Sequence, residues 1–183
     1  MAQVREIVVP ETEPASEWVG GRVVRKMSPR RTHAVLQLAF AASLKAWAAG
    51  RGWVGTEWRF RVAPPGEPRR PLVPDIAYVS YARVPRESAG DPEFEAPPLA
   101  PELAVEILSP GDRAEILAEK IRVYLAAGSL LVLVLDPKRR LLVAHSASGV
   151  RTFAEGSTFT DPSLPGYLLD LRALFAETSP PQE

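Results

Sequence analysis

The sequence predicts an α/β fold, a mixed β-sheet flanked by helices. Three observations lead there: an apolar stretch of helical period from Ser28 to Ala49, short apolar runs of strand length after it, and a second helical stretch between two of those runs. With 183 residues, 46% apolar and 24% charged, the chain has the size and composition of one globular domain with a single core. That domain is expected over residues 17–177, after an extended, polar arm at 1–16 and before a tail at 178–183.

Each element has its own signal. Glu17 to Met27 reads as a hairpin around Gly20-Gly21, with Val19, Val23 and Met27 facing inward. Ser28-Pro29 opens the first helix, whose apolar residues include Val35, Leu36, Leu44 and Trp47, and Gly50 stops it. Trp53 to Val62 reads as one strand ending at Ala63-Pro-Pro-Gly66, and Leu72 to Val79 as the next. Residues 83–98 hold four prolines and several acids, which predicts an exposed loop. Glu102 to Leu108 is the third strand. Asp112 caps a helix running to about Ala127, with Leu117, Ile121, Tyr124 and Leu125 as its core face. Leu130 to Leu135 is wholly apolar and therefore central in the sheet. A crossover helix between the third and fourth strands makes them parallel, so the core order is α-β-β-β-α-β. Leu141 to His145 turns back as a hairpin, Val150 to Phe153 adds a strand, and Asp170 to Ala176 closes with a helix.

Composition narrows the function classes. No apolar run approaches the roughly 20 residues of a membrane-spanning helix, so no membrane partner is expected. No secretion signal is visible at the N-terminus, and a cytoplasmic location is expected. The absence of cysteine excludes disulfides and thiolate metal sites, and two histidines cannot build a histidine-rich one. Net charge is zero, but residues 1–90 hold 14 Lys and Arg against 8 acids, and residues 91–183 hold 8 against 14. A basic half facing phosphates and an acidic half supplying metal ligands would give such a split, and so would chance. No glycine-rich nucleotide loop or serine-nucleophile elbow occurs.

What remains is carboxylates on or beside apolar strands, where an acid is rare unless paired or bound to a cation. Glu106 sits among apolar neighbours in Leu103-Ala-Val-Glu-Ile-Leu108. Asp75 follows a proline at a strand start, a place where Asp often merely closes a turn, and Glu57 is placed similarly on the preceding strand. Two carboxylates from adjacent strands could hold a hard cation such as Mg²⁺. Lys120 falls one step around from the core stripe of its helix, a boundary where it could point to solvent or lean over the sheet's end. Arg22, Arg25, Lys26, Arg30, Arg31, Arg59, Arg61, Arg69 and Arg70 cluster before and around this centre. They could hold phosphates by charge without reading sequence, or form an ordinary solvated surface.

Taken in order, Pro74-Asp75, Pro101-Glu-Leu-Ala-Val-Glu106-Ile-Leu-Ser-Pro110, Asp112, Lys120, Tyr124-Leu-Ala-Ala-Gly128 and Leu135-Asp-Pro137 closely resemble a large bacterial family described as restriction endonucleases. That family, a domain of unknown function, lies within the PD-(D/E)XK nuclease superfamily. Gly21 to Pro29 with His33 resembles its N-terminal pattern, and the likeness spans roughly residues 18–145. The resemblance implies a restriction-endonuclease-like sheet and a catalytic set of Asp75, Glu106 and Lys120. Asp75, Glu106 and the main-chain carbonyl of Ile107 would ligate Mg²⁺, or Mn²⁺ in its place. Where the superfamily carries a lysine two residues after the acid, this chain has Leu108, and Lys120 is the substitute. His33, Gln37 and Glu57 would be secondary members. The activity so implied is hydrolysis of DNA by a metal-activated water. A homodimer is expected on separate grounds, since cutting both strands of a duplex is most simply done by two related sites. The alternatives are a nuclease-fold module that binds nucleic acid or a protein partner without cutting, and a hydrolase of smaller phosphate esters.

Overall fold

The computed structural model describes residues 4–179. An N-terminal hairpin of β1 (Ser16–Val19) and β2 (Arg22–Arg25) precedes helix α1 (Arg31–Trp47). Strands β3 (Gly52–Thr56), β4 (Phe60–Val62), β5 (Arg70–Leu72) and β6 (Ile76–Ser80) follow. A 3-10 turn (Arg86–Ser88) and the one-turn helix α2 (Pro92–Glu95) interrupt the loop before β7 (Leu103–Ile107). Helix α3 (Ala114–Ala126) crosses to β8 (Leu131–Asp136), which leads into β9 (Leu141–Ser146) and β10 (Gly149–Ala154). The short pair β11 (Thr158–Phe159) and β12 (Leu169–Asp170) and helix α4 (Leu171–Ala176) complete the chain.

Six strands form one mixed sheet in the order β10-β9-β8-β7-β6-β3. Only β7 and β8 run parallel, joined by the α3 crossover as the sequence predicts. Their two-residue period sends alternate side chains to opposite layers. Leu103, Val105, Ile107, Leu131, Leu133 and Leu135 face α1 and α4, packing with Leu36, Phe40, Leu44 and Phe175. Ala104 and Val132 face the other way, toward Val123 and Tyr124 of α3 and Val19, Phe60 and Leu72 of the hairpins. Glu106 belongs by parity to this second layer. The C-terminal segment closes the first layer through Leu171, Leu174 and Phe175, with Asp170 capping α4 by accepting the Arg172 and Ala173 N–H groups.

Both strands expected around the first carboxylates are broken. The segment read as 53–62 divides into β3 and β4, and that read as 72–79 into β5 and β6. β4 and β5 form a separate two-stranded sheet, with Phe60 opposite Leu72, while β3 and β6 stay in the main sheet. Pro74, which has no N–H to give a ladder, stands at one break, and Glu57, in the left-handed region at φ 50, at the other. The Glu57 N–H donates to the Asp75 carbonyl at 3.2 Å, so the breaks are level with each other.

Other departures are local. Val23 and Met27 point outward, 50% and 57% exposed, because the hairpin meets the body through β1 and leaves β2 outside. Helix α1 starts at Arg31 with no side-chain cap. Asp112 does not cap α3: the helix begins after Arg113, and the Asp112 carboxylate accepts the Ser109 N–H at 2.6 Å. The loop at 83–98 is tied down, since its Glu95 and Ala96 carbonyls accept from Trp58 Nε1 (2.9 Å) and Arg61 Nε (2.8 Å). Residues 5–7 lie beside Arg69, which donates its N–H to the Arg5 carbonyl at 2.7 Å.

Gly52 is a point of close approach. A Cβ there would stand 2.2 Å from the Val79 carbonyl oxygen and 2.8 Å from the Ser80 Cα, both backbone. Gly52→Ala is therefore expected to destabilise the fold by about 1–3 kcal/mol, read as a lower urea midpoint at unchanged m-value.

Candidate active site

The two strand breaks, the end of β7 and the second turn of α3 meet under the N-terminal hairpin and enclose an open cleft of about 450 Å³. Asp75 lies at the break before β6, 3% exposed. Its Oδ2 accepts the Ile107 N–H at 2.6 Å and faces His33 Nε2 at 3.1 Å, and its Oδ1 accepts from Lys26 Nζ at 2.6 Å. Burial alone would raise its pKa, but the His33 hydrogen bond and the ammoniums of Lys26 and Lys120 hold the carboxyl well below the usual range.

Glu106 points from β7 at Lys120, whose Nζ lies 2.7 Å from both carboxylate oxygens. Oε2 accepts a hydrogen bond; Oε1, buried and equally near, makes none. Lys120 also pairs with Glu17 at 2.9 Å. The sequence places Lys120 at the edge of the α3 stripe, but it is within it: Lys120, Val123 and Tyr124 are the buried residues of the helix. Burial would lower the Lys120 pKa, yet Glu106 and Glu17 hold it above its ordinary value. For Glu106 the balance falls the other way, and burial pushes the carboxyl up to about 8 against the pull of Lys120. The Tyr124 hydroxyl, buried without a hydrogen-bond partner, is raised well above its ordinary pKa by burial and then by Glu106.

The Glu106 value has a consequence for stability. An unfolded glutamate loses its proton near the ordinary 4.5, while the folded one holds it to about 8. The folded state therefore binds more protons between those values, and stability from this group is lost as pH rises through them. In EDTA, the urea midpoint is expected to fall from pH 5 to pH 8, and Glu106→Gln is expected to flatten that slope.

The secondary residues gather at the same place. His33 is buried on α1 with Nδ1 unpartnered. Gln37, one turn on, donates to the Asp75 carbonyl at 2.8 Å and to Glu57 Oε1 at 3.0 Å. Glu57, half-exposed at the mouth, pairs with Lys26 at 2.7 Å. Of the basic residues, Arg22, Arg25 and Lys26 line the cleft, and Arg30 and Arg31 lie exposed at the start of α1. Arg59 is half-buried. Arg61 hydrogen-bonds Glu6 at 3.1 Å, Arg69 is half-buried beside the N-terminal segment, and Arg70 is buried against Glu67 and Glu119. Lys26 is no surface cation but part of the carboxylate cluster.

The sequence reading missed Glu17 and Arg113. Glu17 is 3% exposed, accepts the Val73 N–H at 2.6 Å and braces Lys120. Its signal was the two-residue period of the strand, which sets Glu17 on the same face as the inward Val19. Arg113 lines the cleft from the start of α3.

The donor set can be tested against a hard cation. Among the described residues no three His, Asp or Glu side chains converge as a metal cage. Mg²⁺ needs only one or two carboxylates and keeps several waters. Glu17, Glu57, Asp75 and Glu106, if ionised, carry two more charges than Lys26 and Lys120 neutralise. A buried carboxylate oxygen also lacks a hydrogen bond. The residues fit a divalent cation.

A mixed sheet whose one parallel pair is crossed by a helix, with an acid at a strand break, an acid on the next strand and a lysine beside them, defines a restriction-endonuclease-like domain. The family model Uma2, described as "Putative restriction endonuclease", matches residues 2–172, and the chain belongs to that family. A crystal structure described as "a putative nuclease belonging to DUF820", from Anabaena variabilis ATCC 29413, superposes with a TM-score of 0.81 at 25% identity, covering 92% of this chain and 94% of that one. No curated protein matches.

Proposed function

We propose that the protein is a Mg²⁺-dependent endonuclease hydrolysing DNA phosphodiester bonds, with Mn²⁺ able to replace Mg²⁺. The observation that carries this reading is the convergence of Asp75, Glu106 and Lys120 on one cleft, in a family described as restriction endonucleases. Asp75, Glu106 and the main-chain carbonyl of Ile107 would hold the cation, which when bound lowers the pKa of a water and offsets charge on the scissile phosphate. His33 and the Ile107 N–H aim the Asp75 carboxylate, and the His33 hydrogen bond helps to keep it ionised. Lys120, braced by Glu17, sets a positive charge beside the phosphate as negative charge builds there. Arg22, Arg25 and Arg113 along the cleft, with Arg30 and Arg31 beyond it, would grip the backbone by charge. A cytoplasmic homodimer would present two such sites, one for each strand.

A second reading has one observation in its favour. Lys26 already neutralises Asp75 and Lys120 already neutralises Glu106, as in a nuclease fold that binds nucleic acid or a protein partner without cutting. Incubation of the purified protein with supercoiled plasmid and single-stranded DNA, in Mg²⁺, Mn²⁺ or EDTA, separates the two. Metal-dependent nicking absent from Glu106→Ala is the expected result. Equal nicking by that variant, or none by the wild type under any metal, would overturn the enzyme reading.

A further inference from the structure

Counting the acceptor positions of Asp75 singles out one residue. Oδ2 already receives the Ile107 N–H at 2.6 Å and faces His33 Nε2 at 3.1 Å. A carboxylate oxygen offers about two lone-pair sites, so Oδ2 is full. Only Oδ1 remains for a cation, and Lys26 Nζ sits on it at 2.6 Å. The same ammonium lies 2.7 Å from Glu57 Oε2 and 3.1 Å from the Val73 carbonyl oxygen. Three donors thus meet three oxygens, two from carboxylates and one from the main chain, which is the ligand chemistry of a hard cation.

We infer that Lys26 is a tethered counter-ion of Asp75, standing on the one Asp75 oxygen open to a divalent cation and giving that oxygen up when the cation binds. The inference rests on the reading of the cleft as a cation-dependent centre. Two cations sharing one oxygen repel each other strongly in a buried site, so Lys26 and a divalent ion exclude each other there. The side chain has somewhere to go. Its four-carbon stem is flexible, and its second partner, Glu57, is 42% exposed at the mouth of the cleft. Released from Asp75, the ammonium stays with Glu57 and moves toward the opening, beside Arg22 and Arg25. Cation entry and delivery of positive charge to the mouth of the cleft thereby become one event.

The chain suits the test, having only four lysines: Lys26, Lys45, Lys120 and Lys138. Lys45 and Lys138 are exposed and serve as internal references. In protein labelled at the lysine side chains, the Lys26 signal is identified by its loss in Lys26→Met. Mg²⁺ is added while the spectrum is recorded, and affinity is measured in parallel by calorimetry. The Lys26 signal is expected to move in step with Mg²⁺ saturation while Lys45 and Lys138 stay fixed. Lys26→Met is expected to bind Mg²⁺ about tenfold tighter or more at unchanged stoichiometry. Lys26→Gln, which keeps a polar end against the same oxygens, repeats the affinity measurement should the methionine variant not fold. A Lys26 signal that stays put at Mg²⁺ saturation, or variants that bind no tighter, would overturn the inference alone. Absence of Mg²⁺ binding in every protein, or binding indifferent to Glu106→Ala, would remove the cation-centre reading as well.

Discussion

Replacing Glu106 with glutamine is expected to lower the rate of plasmid nicking by on the order of 10²–10³-fold, with the fold intact. Glutamine preserves the shape of the side chain, and Lys120 keeps Glu17 as its partner at 2.9 Å, so no buried ammonium is stranded. What disappears is the carboxyl on β7 facing the cleft, the group that would ionise on taking a cation. The measurement is initial nicking rate against Mg²⁺ concentration, with a urea melt to show the variant is folded. A loss that higher Mg²⁺ repairs would place Glu106 in cation affinity, and one that persists at saturation would place it in the chemical step. A folded variant cutting at the wild-type rate would exclude Glu106 from the centre.

Lys120→Met should act on stability as strongly as on activity. The ammonium stands between two carboxylates, Glu106 at 2.7 Å and Glu17 at 2.9 Å, all three residues being 7% exposed or less. Removing one member of a buried pair typically costs about 3–5 kcal/mol, because the remaining charge is stranded. Here two acids would face each other, so one must take up a proton. The variant is therefore expected to lose stability further as pH rises, in the direction already set by Glu106. Adding Glu17→Gln removes one of the stranded acids and should restore part of the stability at pH 8 but none of the nicking. Failure of the double variant to recover any stability would mean that Glu17 and Lys120 do not act as a unit.

Much of this was legible in the sequence for physical reasons. An all-apolar run such as Leu131 to Leu135 has no solvent face to spare and must be central. A helical stretch between two such runs leaves only the parallel crossover. Glu106 was visible because an acid among core residues is anomalous. The strand breaks were not visible, because Glu57 and the Pro74-Asp75 step alter the backbone path while leaving the apolar alternation on either side intact. Lys120 was misplaced by one step because the stripe drawn through Leu117, Ile121, Tyr124 and Leu125 is wholly apolar, whereas the buried one shares only Tyr124 with it and runs through Lys120 and Val123. Glu17 escaped notice because one acid in a four-residue strand is what a solvent-facing hairpin ordinarily carries. Lys26 was grouped with the arginines around it, since its ties to Asp75 and Val73 span 49 and 47 positions that local pattern cannot see.

The bracing of Lys120 by Glu17 closes a loop of 103 positions, and with Lys26, Asp75 and Glu106 it draws the cleft from nearly the whole chain. Such closures come late in folding, because ordering the intervening chain has to precede the contact. Until the hairpin docks, the charges later buried here remain hydrated, and nothing local favours bringing them together. The cleft is therefore expected to form as the hairpin docks rather than within any autonomous segment. Its most protected amides should be those of Val73 and Ile107, whose N–H groups are held by Glu17 and Asp75. These should exchange with solvent only when the molecule opens globally, so that no partly folded chain carries the assembled cleft.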